Sequence, residues 1–592
     1  MDYMAKPPPG TNPAAGAHGG GVRGDQVFRG SRLFEGRFGR MFRTIPAAEF
    51  DSAALEDLAK AMSAEPERDE KDSTKPAASP ETGDKIQDDE ENLGIDAGYT
   101  YLGQFIDHDI TFDPASSLQK QNDPDGLIDF RTPALDLDCV YGRGPDDQPY
   151  MFDATGKKFL LGDALTFKQG GDEKTRDLLR IGPNQRAVIG DKRNDENVIV
   201  SQLQGVFLRF HNRLVDDKVA ELRQQHSGIS NDHLLRKINF KDIQRQMRWH
   251  YQYVVLNDFL PKIVGEETMN KVWPNREAGN ICGNRPNLCF YTPRDEAFIP
   301  IEFSAAAYRF GHSMVRPIYR LNKEHDENTV GKGDHPGLAG RFFLFAGVQE
   351  RGLNGFGAFP RHWAIDWSLF FDIDGSGQLG GKQRVQPAYK IDTSVVNPLA
   401  FLPEFSNPGS FDAVGARLTL DHQPKDNLRP KEANHASPSN LAIRNLWRGN
   451  SMGLPSGQDI ARAMGEIPLE AEELFVGKAV MQDDGSIDAK KLSSIRNDYF
   501  RERAPLWYYV LAEALAQWRT AVQGKQKGDA NQVPTTLGPV GGRIVAETLI
   551  GLLVSDSHSY VNQNPKWKPE PPVAGDGTAF TMGHFIKYAL KL

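Results

Sequence analysis

Cysteine is almost missing from this chain, with only Cys139, Cys282 and Cys289 among 592 residues. Three thiols without a paired CxxC cannot build a disulfide scaffold or a structural zinc site, and they leave room for at most one local bridge, Cys282 to Cys289. Runs of lysine and arginine are absent, and 79 acidic against 70 basic side chains give a net charge of −9. Nucleic-acid binding needs a concentrated basic surface, so no nucleic-acid partner is expected. Long apolar runs are missing as well. The opening MDYMAKPPPGTNPAAGAHGGG has no apolar stretch after its early lysine and does not read as a conventional secretory signal. The most apolar window, IVAETLIGLLVS from Ile544, contains Glu547 and falls short of the roughly 20 residues that a membrane span requires. These absences predict a protein without a membrane span, cytoplasmic or secreted by a leaderless route. No repeat with a period of about 20 to 50 residues is present, which removes solenoids and propellers. No GxGxxG or GxxxxGK[ST] follows a strand and no GxSxG elbow appears, so phosphate cradles and nucleophile elbows have no support.

What remains is a chain rich in glycine (57) and proline (38) whose apolar residues fall mostly at helical spacing. Leu203, Phe207, Phe210 and Leu214 form one stripe; Leu511, Leu515 and Trp518 form another. Asp51 to Met62 reads as a short helix, and strand-like alternation is confined to pieces such as 341–345. Residues 1–24, rich in Pro, Gly and Ala, read as a disordered tail. Residues 25–92 read as an N-terminal extension containing a charged, Pro-punctuated loop at 64–92. From Leu93 onward the composition is globular. At roughly 150 residues per domain the length allows about four domains, or one large enzyme domain.

Five segments carry chemistry-bearing residues. In Gly103-Gln104-Phe-Ile-Asp107-His108-Asp109, helical spacing lets Gln104, Asp107 and His108 border one pocket while Asp109 points elsewhere. A charged helix end with a satisfied histidine would look the same. The run Asp191-Lys-Arg193-Asn194-Asp195-Glu196-Asn197 precedes an amphipathic helix, and Asn194 or Asp195 is a plausible N-cap. Tyr308-Arg309-Phe310-Gly311-His312 reads as a basic, aromatic helix with one histidine, and a packed core histidine is the plain alternative. Asn445, Arg448 and Gly453-Leu454-Pro455 read as a helix and its stop. Finally, Thr132-Pro-Ala134-Leu-Asp136-Leu-Asp138 alternates oxygen-bearing and apolar residues. That pattern suits a half-buried strand, or a loop able to offer several oxygens to a hard cation outside the EF-hand pattern.

Taken together, in this order, these segments resemble the animal-type haem peroxidases of the peroxidase–cyclooxygenase superfamily, from about Leu93 to the C-terminus. The resemblance implies a mainly α-helical fold with long ordered loops and little β, built as a single domain over 93–592, since residues from across that length must meet at one cofactor. It makes His108 the distal acid–base residue, Gln104 its pocket neighbour and Arg193 the catalytic arginine. Asp107 and Glu196 become the two carboxylates that esterify haem b. Some family members carry a methionine after the second carboxylate and form a sulfonium link; here Asn197 stands there, and that link is excluded. His312 takes the place of the proximal iron ligand and Asn445 that of the acceptor for its hydrogen bond, with Arg309 and Arg448 facing haem propionates. Asp109, Thr132, Ala134 through its carbonyl, Asp136 and Asp138 match the family's calcium ligands, the last as Asp where some members have Ser. The implied activity is reduction of hydrogen peroxide with oxidation of small phenolic or halide donors.

Three readings compete with it. Fatty-acid dioxygenases of the same superfamily need a radical tyrosine three residues before the proximal histidine, and here that place is Arg309. A haem- and calcium-binding adhesion protein would favour appended repeats, which the chain lacks. A metal-dependent hydrolase built on His108 and Asp109 would need further ligands that cannot be assembled.

Overall fold

The computed structural model describes residues 36–64, 89–112, 128–165, 175–226, 228–276, 284–293, 296–322, 341–345, 352–373, 385–400, 402, 439–575 and 579–592. The tail at 1–24, most of the loop at 64–92, Asp113 and Cys282 lie outside them; Cys289 is exposed.

Nine helices carry most of the core: α1 (Ser52–Met62), α2 (Ala97–Ile110), α3 (Val198–Gln225), α4 (Phe240–Val254), α5 (Leu260–Val272), α6 (Leu441–Ser451), α7 (Leu506–Ala521), α8 (Pro539–Ser555) and α9 (Met582–Leu590). The fold is mainly helical, with strands confined to short pieces. Apolar spacing explains the packing. The predicted stripe on α3 is buried, Phe207 stacks on Phe105 of α2 at 4.1 Å, and Phe210 stacks on Phe585 of α9 at 3.9 Å. Helix α2 therefore lies in the centre, where Gln104 and His108 meet Glu196 and Asn194 just ahead of α3. A π-turn at Val255–Phe259 joins α4 to α5. It points Asp258 at the Tyr99 hydroxyl, which donates to it at 2.8 Å, and brings Phe259 beside Gly103. No helix among the described residues is long and apolar enough to cross a membrane. In α8, Glu547 is buried against Arg543 at 2.8 Å, and its other oxygen receives the Phe290 and Tyr291 N–H groups.

The boundary drawn at Leu93 does not separate two cores. Strand β1 (Gly36–Gly39) pairs antiparallel with β2 (Ile128–Asp129) and parallel with β3 (Ile299–Pro300). Met41, Phe42, Leu55, Leu58 and Met62 join the same hydrophobic cluster as α2 and α3. The end of the predicted charged loop is likewise structured, with Glu91 and Asn92 fully buried in the strand Glu91–Asp96. Asn92 donates to the Thr535 carbonyl at 2.9 Å. Composition misses this because polar residues are buried here with partners. The segment around His312 also differs from expectation: it is a 3-10 turn, Ala307–His312, not an α-helix.

Candidate active site

The first histidine is set by an amide. His108, buried on α2, has Nδ1 2.8 Å from Oδ1 of Asn194, whose Nδ2 donates to Gln204 Oε1 at 2.9 Å. Since the amide N–H is taken by Gln204, the oxygen receives the Nδ1 proton, and the lone pair of the imidazole sits on Nε2. Nε2 lies 3.9 Å from Glu196 Oε1. Gln104 donates to the same Glu196 oxygen and accepts from Asn197 Nδ2 at 3.3 Å. Burial, followed by repulsion from Arg193, pushes the His108 pKa down to about 3, so the ring is neutral at pH 7.

Asn194 and Asp195 are not the caps that their position suggests. Asn197 caps α3, accepting from Ile199 and Val200 N–H groups at 3.1 and 2.9 Å. Asn194 turns to His108, and Asp195 binds the Arg180 guanidinium at 2.8 Å. The 3-10 turn Lys192–Asp195 makes this possible by spacing the side chains differently from an α-helix.

Arg193 stacks over Phe112 at 4.6 Å and donates to the carbonyls of His108 at 3.0 Å and Thr111 at 2.6 Å. Its charge is held by Asp191 at 2.8 Å. Burial alone would raise the Asp191 carboxyl, but Arg193 and Arg131 together hold it well below its usual range. Asp107 accepts from Thr111 at 3.0 Å, and burial raises its pKa against the attraction of Arg193 and of Arg309. One carboxyl thus feels a guanidinium from each histidine's neighbourhood.

The second histidine is held by another amide. Arg309 Nη1 donates to Asn445 Oδ1 at 2.7 Å, and Asn445 Nδ2 lies 2.7 Å from His312 Nδ1. The sequence reading has Asn445 accepting from His312. Here Arg309 occupies the amide oxygen, so Asn445 presents its N–H instead. Arg309 also donates to the Ser304 carbonyl at 2.9 Å, and Trp507 donates to the Arg309 carbonyl at 3.2 Å. Arg448 follows Asn445 by one turn on α6 and is half-buried. Burial, then Arg309, lowers the His312 pKa to about 3, which keeps this imidazole neutral too. Tyr308 is turned away onto Phe303, centroids 4.4 Å apart, and its buried hydroxyl has no hydrogen-bond partner among the described residues.

Gln104, Asp107, Arg193, Glu196, Arg309 and His312 retain some accessible surface although they lie inside the core. A Cβ built on Gly311 would meet no described heavy atom within 4 Å. Open space next to a neutral histidine, bordered by carboxylates and guanidinium groups, is the chemistry that a haem and its propionates require.

The oxygen-rich segment closes a second cluster. Asp109, Asp136 and Asp138 can each offer an oxygen within 4.8 Å of the others. Thr132 Oγ1 lies 3.3 Å from Asp138 Oδ2, and the Ala134 N–H donates to the Thr132 carbonyl at 2.7 Å. Leu137 adopts a left-handed φ of 59°, uncommon for a leucine, and its N–H donates to Asp109 at 3.2 Å. Burial and the neighbouring Asp136 raise the Asp109 pKa to about 7. Motif reading missed Gln204, Arg131 and the role of Asn194; adjacency to Arg193 was the only signal available for Asn194.

Residues 116–350 match the family model of the animal haem peroxidases, a span that includes Arg193 and His312. A peroxidase-like protein from Margaritifera margaritifera is 25% identical over 285 residues, 40% of this chain and 33% of that protein. The peroxidasin homolog from Homo sapiens is 30% identical over 243 residues, 39% of this chain and 15% of that protein. The match thus spans a third or less of these relatives. Peroxidase A from Dictyostelium discoideum shares the fold, with a TM-score of 0.50 at 13% identity over 94% of this chain and 93% of that one. Over residues 116–350, the span that holds Arg193 and His312, the chain is therefore similar to the animal haem peroxidases.

Proposed function

We propose that the chain is a haem-dependent peroxidase that reduces hydrogen peroxide and oxidises small phenolic or halide donors. The observation that carries this reading is the His108–Asn194 pair, which leaves a neutral, correctly protonated imidazole with its Nε2 lone pair beside Glu196 and Gln104. His312 would ligate the iron, Arg309 and Arg448 would face the propionates, and Asp107 and Glu196 would form the ester links. Bound haem would supply the iron that accepts the oxidising equivalents of peroxide and passes them to the donor.

The chain's own residues handle the proton. His108 takes one from hydrogen peroxide at Nε2 and returns it to the departing oxygen, which leaves as water. Arg193 keeps His108 neutral before the proton arrives and places positive charge near the site as negative charge develops. Ligation by His312 Nε2 requires the proton on Nδ1, so Asn445 must turn its oxygen to the ring, which Arg309 permits once its guanidinium leaves that amide for an anionic partner. Asp109, Asp136, Asp138, the Thr132 hydroxyl and the Ala134 carbonyl would bind Ca²⁺, which takes six to eight oxygen ligands and would relieve the crowding of three carboxylates.

The test is an absorption spectrum of haem-loaded protein before and after acid–solvent extraction, followed by peroxide-dependent oxidation of a phenol. A Soret band that stays with the polypeptide and steady turnover support the reading. Failure to take up haem removes it.

A further inference from the structure

Arg131 stands directly before the oxygen-rich segment, outside every motif residue assigned above. It is buried, and its guanidinium meets two carboxylates. Nη1 donates to Asp138 Oδ1 at 3.2 Å, and Nη2 forms an ion pair with Asp191 Oδ2. Asp191 Oδ2 also receives Arg193 Nη2 at 2.8 Å, so one carboxylate oxygen serves both guanidinium groups. The backbone at Arg131 is anchored, because its N–H donates to Asp129 Oδ1 at 3.0 Å, and the same oxygen takes the Phe112 N–H at 2.8 Å. A continuous path of charge therefore runs from the aspartate cluster through Arg131 and Asp191 to Arg193 and the His108 carbonyl.

The charges suit a divalent cation there. Three carboxylates exceed a divalent ion by one negative charge, and Arg131 offsets the excess at Asp138. Its planar fork is rigid, so a stronger hold on Asp138 comes at the expense of Asp191.

We propose that Arg131 is a positioning residue that couples the cation cluster to Arg193, so that cation binding and the placement of the Arg193 guanidinium are linked. The inference rests on the calcium reading above. With the cation sharing Asp138, Arg131 keeps a weaker hold on that carboxylate, and its stronger hold on Asp191 fixes the Arg193 pair. Without it, Asp138 draws Arg131 away and Asp191 loosens. Linkage is reciprocal: a change that commits Arg131 to Asp138 weakens cation binding.

The experiment titrates Ca²⁺ calorimetrically into the chelator-treated full-length chain, as wild type, Asp191→Asn, Arg131→Met and the double variant. Asp191→Asn should weaken Ca²⁺ binding on the order of tenfold when Arg131 is present, and less than about threefold in the Arg131→Met background. Arg131→Lys should retain part of the coupling, which loss of packing alone would not give. Equal effects of Asp191→Asn in both backgrounds overturn the coupling while leaving the cation site standing. Absence of saturable Ca²⁺ binding by the wild type removes the cation site and the coupling with it. Hydrogen exchange of the wild type needs no variant. Ca²⁺ should slow amides at 190–195 together with those at 132–139, and slowing confined to 132–139 refutes the link.

Discussion

His108 Nδ1 and Asn194 Oδ1 lie 2.8 Å apart, and that bond decides which ring nitrogen is available for chemistry. Asn194→Leu should leave the fold intact and slow the reaction with peroxide by roughly 10- to 100-fold, the usual size of a lost orienting partner. Stopped-flow rates equal to wild type would show that His108 needs no such support.

Replacing His108 itself by alanine should keep haem and slow reaction with peroxide by about 10² or more. His312→Ala should instead abolish stable haem uptake. A His312→Ala protein with a full Soret band would overturn the assignment of that histidine.

Gly355 is packed against the segment that carries Glu196, its N–H donating to the Glu196 carbonyl at 3.1 Å. A Cβ there would fall 1.8 Å from the Asp195 carbonyl oxygen. Gly355→Ala should cost about 1–3 kcal/mol of stability and impair the reaction with peroxide. Unchanged urea midpoints would show that the loop at 353–356 does not brace the site.

The pH behaviour separates two groups. His108 titrates at about 3, below its usual 6.5, so the reaction with peroxide should stay level from pH 8 to pH 5 and be lost only near 3. A fall centred near 6.5 would mark an ordinary, hydrated histidine. Glu513 runs the other way: burial raises it to about 8, although the Val540 and Gly541 N–H groups donate to it. Its folded form keeps a proton that the unfolded chain releases near 4.5, so its contribution is complete below 4.5 and is lost as pH rises through 8. The melting temperature of Glu513→Gln relative to wild type should therefore climb from pH 5 to pH 9. A constant difference would count against a protonated Glu513.

Much of the candidate site could be read because its residues come in local runs. Gln104, Asp107, His108 and Asp109 share two turns of α2, and their division between two pockets follows from helical spacing. The helical stripes on α3 and α7 were equally plain. What could not be read depends on contacts across the chain. Nothing in the run 191–197 tells that Asn194 faces His108 rather than capping a helix, because that choice is made by Gln204 and by the 3-10 turn. Arg131 has no pattern of its own; its meaning comes from Asp138 and Asp191. That Arg309 competes with His312 for the Asn445 oxygen is equally hidden, since the arginine and amide side chains stand 136 positions apart. The shared core of the residues before Leu93 is hidden for a similar reason, since Phe42 and Leu58 find their burial against residues hundreds of positions away.

That last feature bears on the order in which the protein folds. Arg40 donates to the carbonyls of Gly453 and Met452 at 2.8 and 2.9 Å, and the Met41 and Phe42 N–H groups donate to Glu302 at 3.0 and 3.1 Å. The helix bearing Asn445 is therefore clasped only once two segments 413 positions apart have met. Contacts over such sequence separation form slowly, so the helix bearing Asn445 should reach its final place late in folding.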